Sequence, residues 1–569
     1  MTYLILWGTR TQQRFLGSPH LVPQICGVRV VMPALKIIFD TTLRDGTQGV
    51  GISFSLEDKL RIITRINTDL GIPFIEAGWP GSNPKDREIF AKARELNLGD
   101  TQIVAFGSTR HKGVKADQDQ NLKALASAGT EIVSLVGKSW NLHVTEALNA
   151  TLEENLDMIR DSVQFLKDQG KRVFFDAEHF FDGYYTNREY AMQVLNTAAR
   201  AGAELLVLCD TNGGYLPLQV QEAVKAVVSQ AKIPIGIHCH NDAGFANSNA
   251  LLAFQAGAKQ IQGTFNGFGE RCGNSDLVTL IPTLKFKLGV NCIDDEKIRN
   301  LTAIAHFIYE LANLPPREEQ PYVGRNAFSH KGGIHISAVL KDNRTYEHLD
   351  PLLVGNDRNI KVSELAGKSS IIYKAKQFGI PLAEGNPKVE QILRIIKEKE
   401  RQGYSYEGAD GSLELIMRSL DFNIEDPQFF RKKYFGIEGF RVISEHLKGL
   451  TSTEATIKVR VREKEFHTAA EGNGPVNAID EALRKALVFF YPSLKNITLY
   501  DFKVRIIVQS GTASVVRVLV ETKDLKTNAT WSTIGAHENI IVASWEALLD
   551  SYVYKLLKDN IDWADKTGS

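Results

Sequence analysis

Cysteine is scarce in this chain and arranged for nothing structural. Only five occur in 569 residues: Cys26, Cys209, Cys239, Cys272 and Cys292. The number is odd and there is no C-x-x-C pair, which argues for a reducing compartment and against both a disulfide framework and a structural zinc site. Excess charge of one sign is missing too, since 67 Lys and Arg balance 67 Asp and Glu. A formal net charge of zero gives no electrostatic reason to expect nucleic acid or an anionic membrane as partner. No stretch approaches the roughly 20 uninterrupted apolar residues that span a bilayer. No G-x-G-x-x-G follows the first strand, which disfavours an open, doubly wound dinucleotide fold.

What remains is the composition of a folded protein. Hydrophobic residues make up 43% and charged residues 24%, and the length allows three or four domains. Residues 1–33 are mixed, with Arg10 and Arg14 and no clear period; they lack the apolar core and cleavage site of a secretory signal. We expect a disordered extension there, with Met32 opening the first convincing strand and a transit peptide as the alternative. The corresponding location is cytoplasmic, or organellar if the extension targets the chain.

From residue 35, strands and helices alternate. Apolar strand candidates lie near 36–40, 73–77, 102–106, 131–136, 172–176, 204–209, 234–238 and 260–264. Helical patterns separate them, as at Leu56–Leu70, Thr151–Leu166, Glu189–Ala201, Leu218–Val228 and Ala246–Ala256, and several stop at a glycine (Gly71, Gly170, Gly202). Eight strand–helix pairs in about 250 residues predict an α/β fold, a (β/α)₈ TIM barrel over 34–291. A small, mostly helical linker is expected over 292–449, with a helix at Asp295–Leu311 and a charged helix end plus connection at 398–412. A C-terminal α+β domain follows over 450–557, with a tail at 558–569. Ala478–Leu483 echoes Ala543–Leu548, each after a strand and a polar loop, which predicts an internal pseudo-twofold repeat.

In such a barrel the site sits on the loops after the strands' C-terminal ends. Arg44-Asp45 follows the first strand, Glu178-His179 the fifth, His238-Cys239-His240 closes the seventh, and Asn266–Asn274 follows the eighth. Strand side chains alternate faces, so His238 and His240 point the same way and can grip one ion together with Asp45. Asn274 can add a carbonyl oxygen. Oxygen and nitrogen ligands without thiolate suit Zn²⁺, Mn²⁺ or Mg²⁺, and nothing in the sequence chooses between them. Arg44 can hold an anionic substrate against that ion. Asp242 is read either as orienting an imidazole or as capping a helix. The glycines of Asn266–Asn274 (Gly267, Gly269, Gly273) either form a tight turn or present amides to an anion at the next helix N-terminus.

Three stretches together, Asp40–Gln48, the His238/His240 pair and Gly269–Asn274, resemble the isopropylmalate, homocitrate and citramalate synthases. Gly78–Asp86, Ala105–Arg110, Phe175–Gly183 and Cys209–Gly214 sharpen the resemblance to the branch of longer citramalate synthases, over about residues 34–557. The resemblance implies a metal-dependent, Claisen-type condensation of acetyl-CoA with pyruvate in isoleucine biosynthesis. It also implies that His330 is the base or relay, with Glu178 as its partner, and that Tyr346 positions or helps hydrolyse the thioester. Arg44, Gln48 and Thr211 would contact the oxo acid, and the Gly267/Gly269/Gly273 loop the acyl-CoA. The segment carrying His330 and Tyr346 reaches a partner's site in this family, so a homodimer is implied. The C-terminal part resembles the family's regulatory domain; Gly472, Asn473, Gly474 and Asn477 are its candidate effector contacts, with isoleucine as inhibitor. 2-Isopropylmalate synthase, using 2-oxoisovalerate, is the runner-up, retro-aldol cleavage of an acyl-CoA a further enzymatic rival, and a non-catalytic amino-acid sensor the remote one. Phe106, Leu135, Val136 and Asp176 are the candidate pocket walls.

Overall fold

The computed structural model describes residues 36–363, 366–421, 431–447, 450–507 and 514–560. The extension expected over 1–33 and the tail beyond Asn560 lie outside these residues.

Eight parallel strands form a closed barrel: β1 (Ile38–Asp40), β2 (Phe74–Gly78), β3 (Gln102–Ser108), β4 (Ile132–Lys138), β5 (Arg172–Glu178), β6 (Leu205–Asp210), β7 (Ile235–Cys239) and β8 (Gln260–Gly263). Each begins within two residues of its expected place. They pair in chain order, and β8 returns to β1 to close the ring, with Phe39 opposite Gln262. Helices cover the outside, so both strand faces are buried and the strands read as continuous apolar runs. The expected helices form as well. Ser55 and Asp58 make a reciprocal cap at the start of Leu56–Arg65, and the chain leaves the following turn at Gly71 with φ 69°.

The barrel's inner face is identified by its aromatic rings. Phe39 of β1, Phe74 of β2 and Phe174 of β5 meet at centroid distances of 6.0, 6.3 and 5.7 Å. Since β1 and β5 are on opposite sides of the ring, these contacts cross the interior. Two-residue alternation then carries Glu76, Phe106, Ser134, Val136, Lys138, Asp176, Glu178, His238 and Gln262 along the same face toward the C-terminal rim. Leu135, expected as a pocket wall, has the opposite parity and faces the helices. That expectation is corrected.

The chain divides into two compact units at Pro315 and Pro316. The helix Leu301–Leu311 belongs to the first: the Asn266 side-chain amide donates to the Ala305 carbonyl at 2.9 Å, and the Phe268 and Tyr309 rings are 5.4 Å apart. The first unit therefore runs past the expected edge at 291. No helix among the described residues is long and apolar enough to cross a membrane.

The second unit begins with helices, among them Gly333–Lys341, Lys368–Gln377, Pro387–Arg401 and Asp410–Asp421. The charged stretch 398–412 is thus a helix end, a connection and the start of another helix. Two antiparallel three-stranded sheets follow. Strands Gly436–Leu447, Leu450–Val461 and Lys464–Gly472 lead into helix Pro475–Leu487; strands Ile497–Ile506, Val516–Asp524 and Thr530–His537 lead into helix Ile540–Lys558. The expected repeat is present, and its unit is three strands plus a helix. A boundary at 450 would cut the first hairpin, so the repeat starts ahead of it. Ala478, Leu483, Ala547 and Leu548 from the two helices share one core.

Candidate active site

Asp45 sits in the turn after β1, and its position is fixed by that turn: its amide donates to the Thr41 carbonyl at 2.9 Å. His238 Nε2 lies 3.1 Å and His240 Nε2 3.8 Å from Asp45 Oδ2, and the two ring nitrogens are 3.4 Å apart. All three side chains are buried. One oxygen and two imidazole nitrogens thus converge from β1 and β7 on one point. His238 Nδ1 faces Gln262 Oε1 of β8 at 3.1 Å. With Nδ1 as the donor, Nε2 keeps its lone pair for that point, an arrangement typical of ligating histidines.

Asn274 is brought alongside by an isolated antiparallel bridge to His240. Its amide nitrogen donates to the Phe268 carbonyl at 3.0 Å, while its Oδ1 is buried with no donor. Buried polar atoms are rarely left unpaired, and an orphaned carbonyl oxygen on the residue bridged to His240 fits a cation ligand. The donor set fits a divalent ion, with Asp45, His238, His240 and Asn274 available to hold it.

Arg44 stands beside this cluster, clamped by acids. Its Nε donates to Glu76 Oε2 at 2.6 Å, its Nη1 is 3.2 Å from Asp45 Oδ1, and its guanidinium lies 3.8 Å above the Phe106 ring. Burial alone would lower the Arg44 pKa, but Asp45 and Glu76 outweigh it and hold the cation firmly protonated. Burial would likewise raise Asp45; Arg44 and the two histidines overcome it and keep the carboxylate well below its usual range. Glu76, with less compensation, is pushed up to about 7 by burial, against the pull of Arg44. Burial lowers and Asp45 raises His238, with a net rise, whereas His240 is lowered to about 4 by burial and by the neighbouring His238.

Glu178 ends β5 on the same rim. Its carboxylate pairs with Lys138 of β4, and its carbonyl accepts from Ser139 Oγ at 2.7 Å. Thr211 Oγ1 accepts the His179 amide at 2.8 Å, which ties the ends of β5 and β6 together. Gln48 ends a short 3₁₀ turn, Gly46–Gln48, and is exposed.

Two expectations for this rim are corrected. Asp242 neither orients an imidazole nor caps a helix; it accepts from Arg271 Nε at 2.7 Å and Nη2 at 2.9 Å, while Asn241 bonds the Ala246 amide at the helix start. The helix after the glycine-rich loop, Leu277–Pro282, has its N-terminus occupied by the carboxylate of Asp276, which accepts the Val278 amide. Gly267, Gly269 and Gly273 serve the turn. All have positive φ, and a Cβ on Gly273 would stand 2.0 Å from the Gly267 carbonyl oxygen.

In the second unit, His330 Nε2 faces Glu347 Oε1 at 3.1 Å, and Arg358 donates to both oxygens of the same carboxylate. Tyr346 stacks on His335 at 4.1 Å and is half exposed. The Asn473 amide donates to Asn477 Oδ1 at 3.0 Å in the turn Gly472–Gly474 that opens helix Pro475–Leu487.

Sequence reasoning missed Glu76, Gln262 and Lys138. Glu76 had a signal, a lone carboxylate inside an apolar strand with the parity of the inner face. Gln262 had the same one.

Three family models cover the chain: HMGL-like over residues 36–307, homocitrate synthase post-HMGL domain-like over 322–403, and LeuA allosteric (dimerisation) domain over 407–556. The (R)-citramalate synthase of Aquifex aeolicus is 49% identical over 526 residues, covering 92% of this chain and 98% of that one. The Geobacter sulfurreducens (R)-citramalate synthase is 50% identical, again over 92% of this chain and 98% of the relative. A 2-isopropylmalate synthase of Methanocaldococcus jannaschii reaches 31% over 91% of this chain and 94% of its own length. With such identity sustained from the barrel through the repeated C-terminal domain, the chain belongs to the (R)-citramalate synthase family.

Proposed function

We propose that this protein condenses acetyl-CoA with pyruvate to give (R)-citramalate and free CoA, as a divalent-metal enzyme of isoleucine biosynthesis. The observation that carries the reading is the convergence of Asp45, His238 and His240 beside a clamped Arg44 in a chain about half identical to (R)-citramalate synthases. Asp45, His238, His240 and Asn274 are the residues to hold the ion. When bound, it supplies Lewis acidity to the carbonyl of a chelated 2-oxo acid.

The side chains account for the rest. Arg44, charged at every working pH and fixed by Glu76 and Phe106, faces the oxyanion that develops when carbon attacks a carbonyl; a preorganised cation costs no reorganisation at that moment. The acetyl methyl is a weak acid, so a positioned base must take its proton. We assign that proton to the pair of His330 and Glu178, His330 as base or relay and Glu178 as its partner, and to Tyr346 the positioning or hydrolysis of the thioester. Thr211 and Gln48 are read as oxo acid contacts. The Gly267, Gly269 and Gly273 loop is read as an acyl-CoA contact through its turn and not through the Leu277–Pro282 helix start, which Asp276 caps.

We further read the chain as a cytoplasmic homodimer inhibited by isoleucine. The LeuA allosteric (dimerisation) domain match supports an effector domain. Asn539 caps helix Ile540–Lys558 through its side chain, whereas Gly474 offers no side-chain cap to helix Pro475–Leu487. Gly472, Asn473, Gly474 and Asn477 are the proposed contacts.

CoA release measured across a panel of 2-oxo acids tests the function. Pyruvate should be the preferred acceptor. Preference for 2-oxoisovalerate would overturn the citramalate reading in favour of 2-isopropylmalate synthesis, and no turnover with any oxo acid at saturating divalent metal would overturn the enzyme.

A further inference from the structure

A second group of titratable side chains lies on the same barrel rim, apart from the metal ligands. His143, Glu178 and His179 each bring one ring nitrogen or carboxylate oxygen to within 4.8 Å of the others. Lys138, from the inner face of β4, pairs with the Glu178 carboxylate. His179 Nδ1 is occupied by Asp182 Oδ2 at 3.0 Å, and its ring meets that of His143 edge-on at 4.7 Å. His143 differs from its neighbours: its Nδ1 is buried and has no hydrogen-bond partner among the described residues. The backbone on both sides is unusual. His143 opens a single π-helical turn, His143–Ala147, a feature concentrated at functional sites. His179 takes φ 56°, a left-handed conformation that a non-glycine residue adopts at a cost.

The groups facing His143 are Lys138, Glu178, His179 and Asp182. Burial and then the Lys138 charge lower the His143 pKa, so its ring is neutral at physiological pH. A carboxylate that takes a substrate proton needs a neighbouring base to clear it, and a His143 ring nitrogen lies within 4.8 Å of a Glu178 carboxylate oxygen. An unpartnered neutral imidazole alongside is the natural acceptor.

We propose that His143 is the residue to which Glu178 passes its proton, with Lys138 as the positioning residue that holds the Glu178 carboxylate. The inference rests on the reading of Glu178 as one of the pair that takes the substrate proton. In the step itself the O–H bond of the protonated Glu178 carboxyl breaks and an N–H bond forms on the His143 ring. The carboxylate is regenerated, and the imidazolium returns the proton to water. No other reactant is needed. The exchange lets one carboxylate act in every turnover while Lys138 keeps it oriented.

The test uses the full-length, metal-loaded protein and four variants. His143→Ala should lower kcat by about 100-fold, the scale of a positioned acid–base group, and leave KM for pyruvate and acetyl-CoA within about twofold. Added imidazole should restore part of the lost kcat, and the acid limb of the kcat–pH profile should move. Lys138→Met should lower kcat without any response to imidazole. An unchanged kcat and pH profile in His143→Ala would overturn the inference. So would a loss that imidazole does not relieve in a variant whose Tm and metal content match the parent. If His143→Ala fails to fold, His143→Asn carries the same kinetic test. Glu178→Gln separates the two claims. Its full activity would sink the reading of Glu178, whereas an inactive Glu178→Gln beside an unaffected His143→Ala would sink only the role of His143.

Discussion

Arg44 shows how a single residue can be made to work by its neighbours. Glu76 and Asp45 hold two edges of the guanidinium and Phe106 supports its face, so the cation has little orientational freedom. Lysine offers one compact charge and cannot match that fork. Arg44→Lys should therefore lower kcat/KM by at least about 100-fold while leaving metal content intact, as read by steady-state kinetics and metal analysis. Asp45→Ala or His240→Ala should lose both activity and metal. His330→Ala should keep its metal. Gln262→Leu, which removes the partner of His238 Nδ1, should weaken metal binding by about 10- to 100-fold. Protonation makes a sharper test. His240 titrates near 4 and Asp45 below its usual range, whereas His238 is raised above the ordinary histidine value. Loading the metal below that raised value must expel about one proton, from His238, and the release should vanish at alkaline pH. Affinity accordingly rises with pH through the His238 titration and then levels off. Calorimetry in buffers of different ionisation enthalpy measures the number directly, and two protons released at pH 6 would contradict this account.

At the level of elements, the loop from Asn266 to Asn274 is held in one shape by close backbone approaches. A Cβ on Gly269, at φ 152°, would fall 2.1 Å from Asn274 Nδ2. Gly269→Ala should therefore cost about 1–3 kcal/mol and weaken metal binding in parallel, because the same shift displaces Asn274. Gly244→Ala is the control, with positive φ but open space around its Cβ; its loss should be smaller and its metal affinity normal. Denaturant melts and metal titrations distinguish the two. These elements also show what a sequence discloses. Barrel strands were legible because both faces are buried, and helix ends because Gly71, Gly170 and Gly202 leave them with positive φ. The convergence of His238 and His240 was legible from strand parity, since the two share a face. The loop glycines were ambiguous because anion cradles and tight turns use the same residues, and only the carboxylate of Asp276 on the helix start decides between them. Glu178 was placed after the fifth strand because that strand runs two residues longer than its apolar run. Lys138 was hidden in the same way, as a charged residue at the end of β4.

For the whole molecule, the division at Pro315 sets off a barrel with its trailing helix from a helical segment and a repeated effector-type domain. The sequence misplaced that edge because the helix Leu301–Leu311 has no compositional break before it; its allegiance is visible only in contacts such as Asn266 with Ala305. We expect light scattering to give twice the 63.3 kDa chain mass. Isoleucine should inhibit and raise Tm, and Asn477→Ala should lose both responses without losing turnover. An Asn477→Ala variant with normal inhibition would move the effector site elsewhere.

The proposed metal ligands come from the ends of β1 and β7 and from the loop after β8, the strand that lies between them, supplies Gln262 and closes the ring. The first ligand is therefore made early on the ribosome and must wait for nearly the entire barrel before its companions emerge. No shorter nascent chain can present the complete set. An ion seated there fastens the seam where the two ends of the barrel meet, and it should favour the closed ring by about 2.7 kcal/mol when free metal stands at 100 times its Kd. Metal starvation would then be felt during biogenesis as well as during turnover, as open barrels that never complete their last pairing.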